Sequence, residues 1–198
     1  IYECANVNIS DSFKLFIDAE KAGLKKWIII GSSSEYGDTL FKNKKVSVND
    51  KCLPNNNYSL TKKIFFDLIY NLSINLKCSL IYFRVFPVYG KYEPSYRLLP
   101  LIKKSASINK KIVINNSNIR IDYSDVTEIC NKILKASYFK KTNEKYPQLW
   151  HLASGKITTL KQFIQKYITD NKLKLEIKFN NRKESVMHHI SNTTSIWK

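Results

Sequence analysis

Glycine is scarce in this chain, five in 198 residues. None falls in a Gly-x-x-Gly-x-x-Gly arrangement, so no glycine-rich loop is present to bring a backbone against a pyrophosphate at a helix N-terminus. Cysteine is as sparse. Cys4, Cys52, Cys78 and Cys130 form no Cys-x-x-Cys pair, and His151, His188 and His189 complete no metal-ligand spacing. Free, mostly buried thiols are expected, and no metal. No apolar run approaches the length of a membrane span, and no charged-then-apolar leader opens the chain. No membrane partner is expected, and a cytoplasmic location is. Acidic residues are few as well, 16 against 33 basic, for a net charge of +17. Such a balance ordinarily points to nucleic acid. Here the excess is nearly all Lys, accompanied by many Asn and Ile and scattered through every segment. That fits a compositional bias better than a selected basic patch, and no nucleic-acid partner is expected.

Arginine makes up only four of the 33 Lys and Arg residues: Arg84, Arg97, Arg120 and Arg182. A planar guanidinium binds phosphate or carboxylate through two parallel hydrogen bonds, which Lys cannot do. In a chain that otherwise uses Lys for positive charge, these four positions are read as geometric. Arg84 leaves the end of an apolar strand and is read as an ion-pair partner.

What is present is an ordered series of elements, and 43% hydrophobic residues are enough for a substantial core. Apolar residues at Ile9, Phe13, Phe16, Ile17 and Ala19 predict a helix over 8–23 with Gly23 as its stop. Residues 27–30 form an apolar run suited to a strand covered on both faces. Residues 31–57 are loop-rich. A helix is predicted over 58–76, burying Ile64, Phe65, Leu68, Ile69 and Leu72, and a strand over 79–83. Strand, helix, strand makes a βαβ unit and hence a parallel sheet. Beyond residue 90 the prediction is helix 97–107, strand 111–114, helix 125–138 with Ile129, Ile133 and Leu134 inward, strand 148–152, helix 160–168 and strand 173–179.

Three short motifs stand in order along these elements. Residues 31–37, Gly-Ser-Ser-Ser-Glu-Tyr-Gly, close the first strand with a hydroxyl cluster. Tyr58 and Lys62 lie one turn apart at the start of the next helix, so they share a face. Residues 84–90, Arg-Val-Phe-Pro-Val-Tyr-Gly, lead out of the second strand. A Tyr-x-x-x-Lys pair alone carries little weight in a chain this rich in both residues. A free tyrosine, with a pKa of about 10, is a poor base, and a neighbouring ammonium favours its phenolate. Tyr58 so placed can exchange a proton with a substrate hydroxyl, with a serine hydroxyl steadying the same oxygen. An exposed aromatic at a helix start is the alternative for Tyr58.

In this order and spacing the motifs resemble the active site of extended short-chain dehydrogenases/reductases acting on nucleotide sugars, the NAD-dependent epimerase/dehydratase family. The strand-end motif is similar to Ser-Thr-Asp-Glu or Ser-Ser-x-Glu before Tyr-Gly. Counting from the strand makes Ser33 the catalytic hydroxyl, while counting back from Tyr36 favours Ser32. The first register is adopted here. Residues 84–90 resemble Arg-x-x-Asn-Val-Tyr-Gly, with Pro87 in place of the usual Asn. Residues 93–100, 120–126 and 150–156 are similar to further stretches of the family, and Arg182-Lys-Glu184 resembles its Arg-x-x-Glu one residue short. The resemblance implies a partial Rossmann-type, doubly wound α/β fold, a parallel sheet with a smaller α+β C-terminal substrate lobe. Residues 1–90 form the later part of the dinucleotide domain. Residues 91–198 are mainly the substrate lobe, with segments returning to the sheet. It implies Ser33, Tyr58, Lys62 and Glu35 as catalytic residues. Tyr58, Lys62, Ser32 and Asn6 would bind NAD or NADP. Ser34, Pro87, Arg97, Arg120 and Arg182 would bind a nucleotide-diphosphate sugar.

The family's glycine-rich loop is the part that does not match. Roughly 60–80 residues carrying it are expected to precede residue 1 in the intact protein. The fragment alone is expected to be inactive, and the intact protein to be a homodimer through the 9–22 and 58–76 helices. The expected activity is hydride transfer at sugar C4 with Tyr58 as acid/base, in a 4-ketoreductase or 4-epimerase of deoxysugar or surface-polysaccharide synthesis. A 4,6-dehydratase is the alternative within the family. A basic, non-catalytic binding or scaffold module is the alternative outside it.

Overall fold

The computed structural model describes residues 1–42, 44–138, 147–181 and 188–189. The chain opens with α1 (Tyr2–Ala5), a π-helical turn (Asn6–Asp11) and α2 (Ser12–Lys21). It continues through β1 (Lys26–Ser32), 3₁₀ turns at Ser33–Tyr36 and Asp38–Lys42, α3 (Asn57–Asn75) and β2 (Ser79–Val85). Then follow β3 (Val88–Tyr89), α4 (Leu98–Ser107), β4 (Ile112–Ile114), β5 (Arg120–Asp122), β6 (Ser124–Asp125) and α5 (Val126–Tyr138). The last elements are β7 (Gln148–Leu152), β8 (Ile157–Thr159), α6 (Leu160–Asp170) and β9 (Ile177–Phe179).

The main sheet is parallel, in the order β1-β2-β7. Its register aligns the carboxyl ends: Gly31 lies beside Arg84, and Ser32 beside Val85. Alternation along β2 explains the layering. Leu80 and Tyr82 pack with Phe16 of α2 and Phe65, Phe66 and Ile69 of α3 on one face. Ile81 and Phe83 pack with Ile129 and Ala136 of α5 on the other. A strand buried on both faces reads as a near-continuous apolar run, as residues 80–83 do here before the buried Arg84. The 148–152 strand, far along the chain, rejoins this sheet.

A second core lies outside the sheet. Leu99 and Ile102 of α4, Ile114 of β4 and Ile164 of α6 form its buried centre. The β4–β9 pair closes it in parallel. The strand predicted over 173–179 is shorter than expected, because β4 offers only three residues to pair with. Leu173 and Leu175 still pack on this core.

Two helix faces depart from the prediction. On α3, Phe66 is buried and Ile64 is 42% exposed. The face is set by Arg84, whose guanidinium lies 4.9 Å from the Phe66 ring, and by Tyr82, whose ring centroid is 4.7 Å from it. On α5, the 129-133-136 spacing turns inward and leaves Leu134 exposed. The N-terminal helix also begins earlier than predicted, through the π-helical turn. There Asn8 is buried and donates from Nδ2 to Thr61 Oγ1 at 3.0 Å, tying this turn to α3. Cys4, Cys52, Cys78 and Cys130 are all free thiols. No helix among the described residues is long and apolar enough to cross a membrane.

Candidate active site

The strand-end turn is built by its own capping. Ser32 Oγ accepts from Ser34 N at 3.1 Å, and Ser32 N donates to Glu35 Oε1 at 2.9 Å, a reciprocal box over one 3₁₀ turn. Ser32 Oγ also donates to Ser34 Oγ at 3.0 Å. The residue before them must be glycine, since a Cβ on Gly31 would stand 2.2 Å from Tyr82 Oη and 2.4 Å from Glu35 Oε1. Gly37 closes the motif at φ +50°, where a Cβ would meet the Leu53 carbonyl at 1.8 Å.

Glu35, expected among the catalytic groups, is fully buried and does not line the cavity described below. Its Oε1 also accepts from Tyr82 Oη at 2.7 Å, and its Oε2 accepts from Arg84 Nε at 2.7 Å. Arg84 is 2% exposed and donates further from Nη1 to Tyr36 Oη at 3.1 Å, its guanidinium stacked 4.7 Å from the Tyr36 ring. Tyr36 Oη in turn lies 2.5 Å from His151 Nε2. Burial pushes the Tyr36 phenol up to about 12 against the lowering effect of Arg84. Burial and the Glu35 carboxylate push the Tyr82 phenol well above its ordinary range. Burial alone would lower Arg84, but Tyr36 and Glu35 outweigh it and raise it. Arg84 is thus the structural ion-pair partner that the sequence indicates.

Tyr58 and Lys62 owe their positions to the start of α3. Asn56 Oδ1 accepts from Ser59 N at 2.9 Å, and Asn56 N donates to Ser59 Oγ at 3.2 Å. This box starts the helix one residue before Tyr58, placing the phenol in the first turn and Lys62 one turn later. Tyr58 is 44% exposed. The Lys62 ammonium lies 6.0 Å from the centroid of its ring. Lys62 is half-buried, and burial lowers its pKa against a smaller raising effect from Glu35.

A cavity of about 760 Å³ opens at the carboxyl ends of β1 and β2. Its walls bring together Ser32, Ser33 and Ser34 from the turn, Tyr58 from α3 and Pro87 from the exit of β2. Arg97 and Tyr123 face them from the side of the second core. Pro87 is held by its carbonyl, which accepts from Ser124 N at 3.0 Å. Arg97 is exposed, with Nε 3.9 Å from Glu93 Oε1. Lys62 does not line the wall. Asn6 and Arg120, expected at the cofactor and the substrate, do not line the cavity and are exposed. The π-helical turn aims Asn8 inward instead of Asn6. Arg120 sits on β5 with its backbone N–H donating to His188 Nδ1 at 3.0 Å. Arg182 lies outside the described residues.

One wall residue has no precedent in the motifs. His189 lines the cavity, and its Nδ1 lies 3.1 Å from Ser33 Oγ. Burial, with a smaller push from His188, pulls its pKa down to about 4, so the ring is neutral at pH 7. A pair of adjacent histidines carries no local signal for this contact, which joins residues 156 positions apart.

A parallel sheet covered on both faces, with a serine turn and a Tyr-Lys helix at its carboxyl edge, defines a Rossmann-type α/β protein. The chain belongs to the NAD dependent epimerase/dehydratase family, whose model matches residues 2–148. No curated protein matches it. Among solved structures it is similar to UDP-N-acetylglucosamine 4-epimerase from Methanobrevibacter ruminantium M1, at TM-score 0.81 and 20% identity over 96% of this chain and 61% of that one. RMD from Pseudomonas aeruginosa, complexed with NADPH, gives 0.80 and 14% over 96% of this chain and 65% of that one. dTDP-glucose 4,6-dehydratase from Bacillus anthracis, in complex with NAD, gives 0.77 and 17% over 96% and 60%. At these identities the likeness is one of fold, and this chain spans between 60% and 65% of the three proteins.

Proposed function

We propose that the full-length protein is an NAD(P)-dependent nucleotide-sugar oxidoreductase working at sugar C4, as a 4-epimerase or 4-ketoreductase. The observation that carries this reading is the cavity itself: Tyr58 faces the Ser32–34 hydroxyls across it, with the Lys62 ammonium one helical turn behind the phenol. NAD or NADP, when bound, supplies the hydride chemistry. The residues present fit the nicotinamide-ribose end of such a cofactor. Lys62 is a half-buried ammonium that makes no hydrogen bond or ion pair among the described residues, and ribose hydroxyls would satisfy its donors. This sequence carries no glycine-rich loop to cradle the pyrophosphate.

Tyr58 exchanges a proton with the sugar oxygen, and Ser33 hydrogen-bonds that same oxygen, steadying charge as it develops. Lys62 supplies positive charge beside the phenol. Ser34 and Pro87 contact the sugar, and Arg97 meets the diphosphate. Arg120 and Arg182 remain candidates for the diphosphate as the resemblance has them. Glu35 is assigned to holding the turn, both its oxygens being taken up by Arg84, Tyr82 and the Ser32 N–H. That assignment disfavours dehydration. Loss of water across two sugar carbons needs an acid and a base beyond Tyr58, and among the described residues no carboxylate lines the cavity. The exposed Leu15 on α2 and Leu60, Ile64 and Ile74 on α3 leave apolar surface for the proposed homodimer.

The test is incubation of the full-length protein with NADH or NADPH and a panel of nucleotide sugars and their 4-keto-6-deoxy forms. Net cofactor oxidation with one keto sugar identifies a reductase. An altered sugar at constant cofactor identifies an epimerase. Loss of water, or silence across the panel with cofactor bound, overturns the proposal.

A further inference from the structure

His188 and His189 are far along the chain from the strand-end turn, yet backbone contacts pin them to it from two sides. His188 N donates to Leu40 O at 2.9 Å, reaching the loop that follows β1. Arg120 N donates to His188 Nδ1 at 3.0 Å, and Asp122 N donates to the His189 carbonyl at 2.8 Å, both from β5. Residue 189 also bridges in parallel to Ile121. With the backbone so anchored, the imidazole reaches Ser33 Oγ at 3.1 Å, and both groups face the cavity. Among the described residues this is the hydroxyl's one hydrogen-bond partner.

We propose that His189 is a positioning residue for the Ser33 hydroxyl, holding the rotamer in which that hydroxyl meets the sugar oxygen. The inference rests on the reading of Ser33 as the catalytic hydroxyl. A serine hydroxyl is free to turn about its own bonds, and one fixed neighbour removes that freedom. A neutral imidazole has one donor and one acceptor nitrogen, and here the second nitrogen, Nε2, has no hydrogen-bond partner among the described residues. Among the described residues nothing else fixes the tautomer. With Nδ1 accepting, Ser33 offers lone pairs to a sugar hydroxyl. With Nδ1 donating, Ser33 offers its proton to a sugar carbonyl. Those are the two oxygen states that alternate when a C4 alcohol and ketone interconvert. An imidazolium would permit only the second.

The experiment uses the full-length protein with four variants: His189→Ala, His189→Asn, Ser33→Ala, and the Ser33→Ala/His189→Ala double. A net positioning hydrogen bond corresponds to a loss of up to about tenfold, so kcat of H189A should fall by about that factor with KM within about twofold. Asn places a hydrogen-bonding atom near the Nδ1 position, and H189N should recover most of the loss. In the S33A background, H189A should cost nothing further. Equal losses in both backgrounds, or a raised KM at unchanged kcat, would overturn the proposal in favour of direct ligand contact. A second readout does not depend on turnover. In protein labelled with ¹⁵N-histidine, Ser33→Ala should shift the Nδ1 resonance of His189 and leave that of His151 in place. An unmoved His189 resonance overturns the contact itself. If no sugar of the panel is turned over while the resonance moves, it is the oxidoreductase reading that fails, and the His189–Ser33 contact stands.

Discussion

Replacing Arg84 with Met tests whether the ion pair beneath the serine turn holds the site in place. Glu35 is 0% exposed and Arg84 2%. The substitution keeps an apolar stem against Phe66 and Tyr36 but leaves a carboxylate without its cation. Breaking a buried pair in this way costs about 3–5 kcal/mol. Glu35 keeps hydrogen bonds from Tyr82 at 2.7 Å and Ser32 N at 2.9 Å, which places the expected loss near the lower end, about 3 kcal/mol. In a domain of this size that lowers Tm by roughly 6–12 °C. Urea denaturation followed by circular dichroism gives the same quantity from the midpoint at constant slope. The decisive comparison is the Glu35→Gln/Arg84→Met double variant. With both charges gone, most of the loss should return, because the cost lies in an unpaired buried charge rather than in the absence of a favourable pair. A loss below about 1 kcal/mol in R84M would refute the reasoning, as would a double variant no better than the single one.

If the proposed reading holds, Tyr58→Phe in the full-length protein should lower kcat by about 10²–10⁴-fold while the far-UV spectrum and Tm stay in place, since the phenol is 44% exposed and carries no structural bond among the described residues. Gly31→Ala should destabilise by about 1–3 kcal/mol or more, read as a fall in the urea midpoint, because the added carbon meets both Tyr82 Oη and Glu35 Oε1 inside 2.5 Å. Stability should also fall on acidification through His189. Its folded-state pKa is pulled to about 4 against an unfolded value of about 6.5, so the unfolded chain binds the extra proton between them. The contribution is complete above pH 6.5 and is lost as pH falls towards 4. Among the described residues, the groups facing His189 are His188 and the Ser33 hydroxyl. A stability profile for H189N that is as steep as the wild type over that window would refute the assignment.

The parts of this molecule legible in its sequence are those that local chemistry determines. The Asn56–Ser59 box and the Thr159–Gln162 box start helices where polar residues precede apolar stripes, and the 3.6-residue period carries each helix to its end. The apolar run of β2 announces a strand covered on both sides. What the period leaves open is which of the apolar residues flanking a buried one also points inward. Ile64 and Phe66 fit neighbouring stripes equally well, and the choice falls to Arg84, which arrives from another element. Glu35 is the same lesson at the site. Its position beside three serines suggests chemistry, but its partners Tyr82 and Arg84 stand 47 and 49 residues away and take it out of the cavity.

His189 and Glu35 act on one short turn from opposite sides, and this explains why the site is spread over so much of the chain. Below the turn, the carboxylate ties Ser32 N–H to Arg84 and Tyr82 of β2, fixing the backbone from which the three hydroxyls project. Across the cavity, the imidazole reaches Ser33 from a segment fastened to β5, whose partner β8 leads directly into α6 and the second core. A cavity wall assembled from both cores places its hydroxyl correctly only when the two are seated against each other. The geometry proposed for catalysis is thus a readout of how the two cores meet, because its wall residues come from both.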